Sequence, residues 1–177
     1  MSVPPSIPEA SATAAASETE SPAPSATQDT RSLQGLLPYD FGGADAHTFA
    51  VGQDMLARLA DELSLAPDEL EVAFASDHGT AFVQMYALRA AGHSADEILA
   101  AMPAAAYPEA SSGSITVAEQ SLAGRAVTVI SDPAESARIG TFYCLADGDV
   151  LIVAQVLDPA VAETAFEELP GRPGRDY

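Results

Sequence analysis

The sequence contains no lysine and no tryptophan, and the seven basic residues are all arginines: Arg31, Arg58, Arg89, Arg125, Arg138, Arg172 and Arg175. Against them stand 26 aspartates and glutamates, for a formal net charge of −19. Nucleic-acid binding depends on cationic groups that displace counterions from phosphates, so this shortage excludes DNA and RNA as partners. Anionic lipid surfaces are disfavoured on the same ground. The single cysteine, Cys144, excludes an intramolecular disulfide and a cysteine-based zinc site. No apolar run approaches the roughly 18 residues that a membrane-spanning helix requires. Aromatic residues make up 6% of the chain, so its core must be built mainly from Val, Leu, Ile and a few Phe.

What is present fits one folded domain. The chain has 177 residues, 47% of them hydrophobic, enough for a single core with tails. The acidity is read first as solubility and colloidal repulsion. A divalent cation, a basic partner protein or mimicry of nucleic acid are the alternatives.

Composition divides the chain in three. Residues 1–34 are rich in Ala, Ser, Pro, Thr and Glu, with too few large apolar groups to offset the entropy of ordering them, and are expected to form a disordered tether. No charged stretch followed by an apolar one occurs there, so no secretory signal is expected within this chain. Residues 35–170 carry the folded domain, and residues 171–177 a loose C-terminal tail.

Within the domain, periodicity predicts a short strand at His47–Val51. It then predicts a helix from Asp54 to Leu63, with Met55, Leu56, Leu59 and Leu63 on one stripe. Val72 and Phe74 open a strand that turns at Ser76-Asp77-His78-Gly79 and returns over Ala81–Arg89. Ser94 and Glu97 have the spacing of a capping box ahead of Ile98, Leu99 and Met102, and Pro103 is expected to end or bend that helix. Two strands follow around a turn at Ala123-Gly124. Thr141–Leu145 and Val150–Val156 form the strongest hairpin, closed by Ala146-Asp147-Gly148-Asp149. Asp158-Pro159 starts the last helix, with Asp158 as N-cap and Val161, Ala165, Phe166 and Leu169 on its core face. The expectation is an α+β fold: a mainly antiparallel sheet with about three helices packed on one face.

No catalytic, cofactor-binding or metal-binding set emerges from the motifs. Cys144 alternates in phase with Phe142 and is read as a core residue rather than a nucleophile. His47, His78 and His93 lack the spacing of a ligand pair, although His47 with Asp40 or Asp45 is a candidate metal site assembled in space. Asp147-Gly148-Asp149 invites a calcium reading, but Asp-Gly is what a tight hairpin turn requires. The adjacent pairs Asp61-Glu62, Asp68-Glu69, Asp96-Glu97 and Glu167-Glu168 diverge on helices or turns and are read as solvated faces.

Several stretches together resemble a group of uncharacterised bacterial lipoprotein-type extracytoplasmic domains. They are Leu36-Leu37-Pro38 with Phe41-Gly42-Gly43, Ala87-Leu88-Arg89 before Gly92, Gly124–Val129, Ala146–Leu151, Asp158-Pro159 and Leu169-Pro170. The likeness spans about residues 33–170. It implies a domain held off the cell envelope by a Ser/Pro/Ala-rich linker, anchored through an N-terminal lipid signal that this chain lacks. It implies no activity. The leading expectation is therefore a non-enzymatic, extracytoplasmic binding or interaction domain. A hydrolytic enzyme built around His47, Asp45 or His78, a module that self-associates through a sheet edge, and a cytoplasmic location are the alternatives.

Overall fold

The structure, a computed structural model, describes residues 32–38, 40–41, 44–45, 53–77, 83–111 and 113–170. The predicted strand at His47–Val51, the turn containing His78, most of the tether and the C-terminal tail lie outside the described residues.

A single 3₁₀ turn at Leu33–Leu36 opens the fold. Leu33, at the end of the stretch that composition gives to the tether, is buried with Leu36 and Leu37. Two short strands, β1 (Asp40–Phe41) and β2 (Ala44–Asp45), pair with Asp40 opposite Asp45. Helix α1 (Gln53–Glu62) follows, then β3 (Leu70–Asp77), β4 (Val83–Ala90) and helix α2 (Ala95–Ala106). The second half runs β5 (Thr116–Leu122), β6 (Arg125–Ser131), the short α3 (Ser136–Ile139), β7 (Thr141–Asp147), β8 (Val150–Val156) and α4 (Ala162–Glu167).

Local chemistry accounts for most of these boundaries. Ser94 and Glu97 form the reciprocal capping box: Ser94 Oγ accepts from the Glu97 N–H at 3.3 Å, and Glu97 Oε2 accepts from the Ser94 N–H at 2.7 Å. Asp158 Oδ1 accepts from the Ala160 N–H at 2.9 Å, and a 3₁₀ turn at Pro159–Val161 leads into α4. Ala123 and Gly124 both have positive φ, 50° and 75°, as a two-residue hairpin loop of the mirror-image type demands. Gly148 has φ 66° in the β7–β8 loop.

Six strands form one antiparallel sheet in the order β3-β4-β8-β7-β6-β5. The last strand in sequence is thus wedged between β4 and β7. Its pairing with β4 sets Tyr86 opposite Val153 and Gln84 opposite Gln155.

The α+β class and the antiparallel sheet agree with the sequence reading. The placement of helices on one face holds for α1 and α2, which cover Phe74, Tyr86, Leu88, Ile130, Phe142, Cys144, Leu151 and Val153. It does not hold for α4. That helix and the 3₁₀ turn at Leu33–Leu36 cover the opposite face, over Ala73, Met85, Ala87, Val127, Ile152 and Ala154. The physical reason lies in β8, where Val150 to Ala154 are all buried. A strand apolar on both faces needs cover on both. Pro103 likewise does not end α2, which runs on to Ala106. Proline removes one backbone donor near the helix end, while Ala105, Ala106 and the following Tyr107 are all buried.

Candidate functional site

One end of the α1/α2 face of the sheet is left uncovered by the described residues and forms the floor of a cleft of about 540 Å³. The register of β4, β8 and β7 brings Gln84, Tyr86, Gln155 and Phe142 together on this floor. Asp54, Met55 and Arg58 of α1 form one wall, Tyr107–Glu109 another, and Glu135, Arg138 and Ile139 around α3 a third.

The floor is a fixed polar network set in apolar surroundings. The Tyr86 hydroxyl lies 2.8 Å from Gln84 Oε1 and 3.1 Å from Gln155 Oε1, and its one proton serves either amide. Gln155 Nε2 donates to the Ile139 carbonyl at 2.5 Å, tying the end of α3 to the sheet. Burial pushes the Tyr86 phenol up to about 12, so it stays neutral at physiological pH. Beside it, Tyr107 packs edge-on against Phe142 with ring centroids 5.5 Å apart. The Tyr107 hydroxyl donates to the Gly140 carbonyl at 2.5 Å, and burial raises its phenol to about 12 as well.

Among the described residues charge in the cleft is nearly balanced, with three carboxylates (Asp54, Glu109, Glu135) and two arginines (Arg58, Arg138) in a chain of net −19. Arg138 is occupied by Glu135, donating from Nε at 3.0 Å and from Nη2 at 2.5 Å. Arg58 donates from Nε to the Ala105 carbonyl at 2.9 Å, and its two terminal nitrogens have no partner among the described residues. The same is true of Gln84 Nε2. These groups are donors; beside them the carboxylates of Asp54 and Glu109, and whichever of Gln84 Oε1 and Gln155 Oε1 the Tyr86 proton does not serve, are acceptors without a hydrogen-bond partner among the described residues.

A second depression, about 790 Å³, lies at the opposite end of β4. It is larger, but its polar groups are largely spent on holding the fold. Glu69 Oε2 accepts from the Ala66 N–H at 2.7 Å, and Glu97 serves the capping box. Arg89 joins three elements, donating from Nε to Asp149 Oδ2 at 2.9 Å and from Nη1 to Glu71 Oε2 at 3.1 Å. His93 sits half-buried at the rim. The contrast in free donors singles out the smaller cleft.

The residues weighed from the sequence fall mostly elsewhere. Cys144 is buried beside Phe142 and Val153 on the core face, and burial drives its thiol far above the usual range. Asp147 ends β7 and Asp149 pairs with Arg89, so the Asp-Gly-Asp stretch serves the turn. Asp61, Glu62, Asp68, Asp96 and Glu97 are exposed. Of the candidate site around His47, the backbones of Asp40 and Asp45 pair with each other; His47 and His78 lie outside the described residues. Among the described residues no group of three or more His, Cys, Asp or Glu is placed to hold a metal ion.

Sequence reasoning passed over the cleft residues. The available signal was a glutamine inside each of two apolar strands, in Val83-Gln84-Met85 and in Ala154-Gln155-Val156. Comparison with models of known families, with curated proteins and with solved structures gave no match.

Proposed function

We propose that this chain is a non-enzymatic binding domain, held outside the cytoplasm by its N-terminal segment, that takes a small polar ligand in the cleft over Tyr86. The observation that carries the binding half is the combination of a fixed floor with unspent donors. Tyr86, Gln84 and Gln155 are oriented before any ligand arrives, which lowers the ordering cost of binding. Gln84 Nε2 and the terminal nitrogens of Arg58 remain to receive hydrogen-bond acceptors, while Phe142, Met55 and Ile139 offer apolar contact. A ligand with a carboxylate or a dense set of hydroxyl and carbonyl oxygens suits this set. The extracytoplasmic half rests on the lipoprotein-like stretches and on the Ser/Pro/Ala-rich composition of residues 1–34.

The binding half is tested by titrating isotope-labelled protein with glutamate, citrate, glucose and N-acetylglucosamine at millimolar concentrations. At least one of them is expected to shift the side-chain amide of Gln84 and the backbone amide of Tyr86, and Gln155→Ala is expected to abolish the effect. If all four leave these resonances unmoved, the cleft is not a site for this ligand class. For the location, codons upstream of Met1 that encode an apolar stretch ending in cysteine would support the reading, and a stop codon in their place would remove it.

A further inference from the structure

The sheet has an outer strand whose one protection against edge pairing is a single charge, Glu119. Among the described residues β5 ends the strand order, with β6 as its one partner. Six of its seven residues, Thr116 to Ser121, are exposed. Natural edges are blunted by proline, charged side chains (lysine above all), a bulge or short length. β5 has seven residues, neither proline nor lysine, and pairs one-to-one with β6 from Thr116↔Ser131 to Leu122↔Arg125 without a bulge. Val117 is 56% exposed, a large apolar side chain on an open strand.

The register also fixes which backbone groups are free. The two-residue loop at Ala123-Gly124 makes Leu122 and Arg125 the closing hydrogen-bonded pair. Hydrogen-bonded and non-hydrogen-bonded pairs alternate in an antiparallel ladder, so Gln120, Ala118 and Thr116 also spend their backbone groups on β6. The N–H and C=O groups of Val117, Glu119 and Ser121 point the other way, out of the sheet. They form one continuous row of donors and acceptors.

Charge decides what occupies that row. In the register that pairs it fully with a second copy of this chain, Val117 meets the other copy's Ser121, and Glu119 meets Glu119. Like charges directly opposite destabilise a strand pair, and each copy carries a net charge of −19. An extended segment with a cation at the central position meets neither obstacle.

We propose that the outer edge of β5 takes up an extended, basic segment of a partner protein as a seventh strand, with a lysine or arginine of that segment set opposite Glu119. The main-chain bonds supply affinity, and the central cation supplies selectivity. This binding mode uses no residue of the cleft.

The test titrates isotope-labelled full-length protein with a capped Lys-Thr-Val-Thr-Lys-Thr-Val-Thr-Lys peptide, whose central lysine is in register for Glu119. The amides of Val117, Glu119 and Ser121 are expected to shift and to gain protection from solvent exchange. Glu119→Pro removes an outward N–H and leaves the ladder to β6 intact, so it is expected to weaken binding by at least about tenfold without altering the circular dichroism spectrum. Should that variant misfold, Glu119→Lys gives the second readout: it keeps the backbone groups and is expected to repel the peptide. The same peptide with glutamate in place of each lysine is expected not to bind. Unchanged binding to either variant, or shifts spread over other acidic surfaces, would overturn the proposal. So would a free protein that sediments as a dimer with these three amides already protected.

Discussion

Gly140 stands where three constraints meet. Its φ is 98°, its carbonyl accepts from the Tyr107 hydroxyl, and a Cβ built on it would lie 2.7 Å from the Val156 carbonyl oxygen. The neighbour is backbone of a central strand and has no room to give. Gly140→Ala is expected to destabilise the domain by about 2–4 kcal/mol, combining left-handed backbone strain with overpacking. Urea unfolding measures this, and a loss under about 0.5 kcal/mol would show that the α3–β7 junction relaxes freely. Asp132 offers a second test at this scale. It is buried, and its carboxyl is held below the usual carboxylate range, first by the Ser114 hydroxyl donating to Oδ2 at 2.6 Å and then by the Ala134 N–H at 2.8 Å. A lowered folded value means that its stabilisation is complete above the unfolded carboxylate range, near pH 4, and is lost as pH falls through the folded value. Ser114→Ala removes the largest cause. The stability difference between wild type and this variant is therefore expected to be greatest at neutral pH and to shrink on acidification. A difference that grows with acid would contradict the assignment.

At the scale of elements, the Arg89 clamp joins β3, β4 and the β7–β8 turn. Its two arms differ in worth. The side chain of Asp149 is 12% exposed and that of Glu71 is 62% exposed, so water screens the second arm far more than the first. Arg89→Met strands a largely buried carboxylate and is expected to cost about 1–3 kcal/mol, whereas Glu71→Gln is expected to cost less than about 1 kcal/mol. Equal costs in denaturant unfolding would refute the ranking. Elements of this local kind were legible in the sequence. The capping box at Ser94/Glu97, the turn at Ala123-Gly124, the cap at Asp158 and the β7–β8 hairpin each depend on residues close together in the chain. The second helical layer was not read from the sequence, which predicts helices packed on one face, although the apolar run Val150 to Ala154 of β8 carries the signal for cover on both. The short α3 was not legible, because its four residues carry no periodicity. Nor was the cleft. Gln84 and Gln155 are 71 positions apart in the numbering and meet because β8 inserts beside β4, a choice made by the packing of the whole sheet.

For the molecule as a whole, net charge is the dominant long-range term. Repulsion among the surplus carboxylates opposes compaction, and dissolved ions screen it. The melting temperature at pH 7 is expected to rise by a few degrees from low to physiological ionic strength, as scanning calorimetry would record. A fall would mean that attractive pairs such as the Arg89 clamp outweigh the general repulsion. Long-range repulsion also leaves the fold itself unspecified: it constrains partners and solubility, and the strand order comes from the apolar faces.

That strand order has a consequence for synthesis. The central strand of the sheet is the last to emerge from the ribosome. Until Val150–Val156 are made, β4 and β7 each present an unpaired apolar flank, and the nascent chain holds two separate sheet fragments rather than one. β5 to β8 can assemble as a meander of neighbours, while β3 and β4 must wait for docking. A chain truncated after Asp147 is accordingly expected to aggregate or be degraded, while removal of residues 1–31 is expected to leave expression as soluble protein intact. Pulse-labelling of the two forms would distinguish them. The place of β8 between β4 and β7 makes joining of the two sheet fragments wait for the synthesis of Val150–Val156.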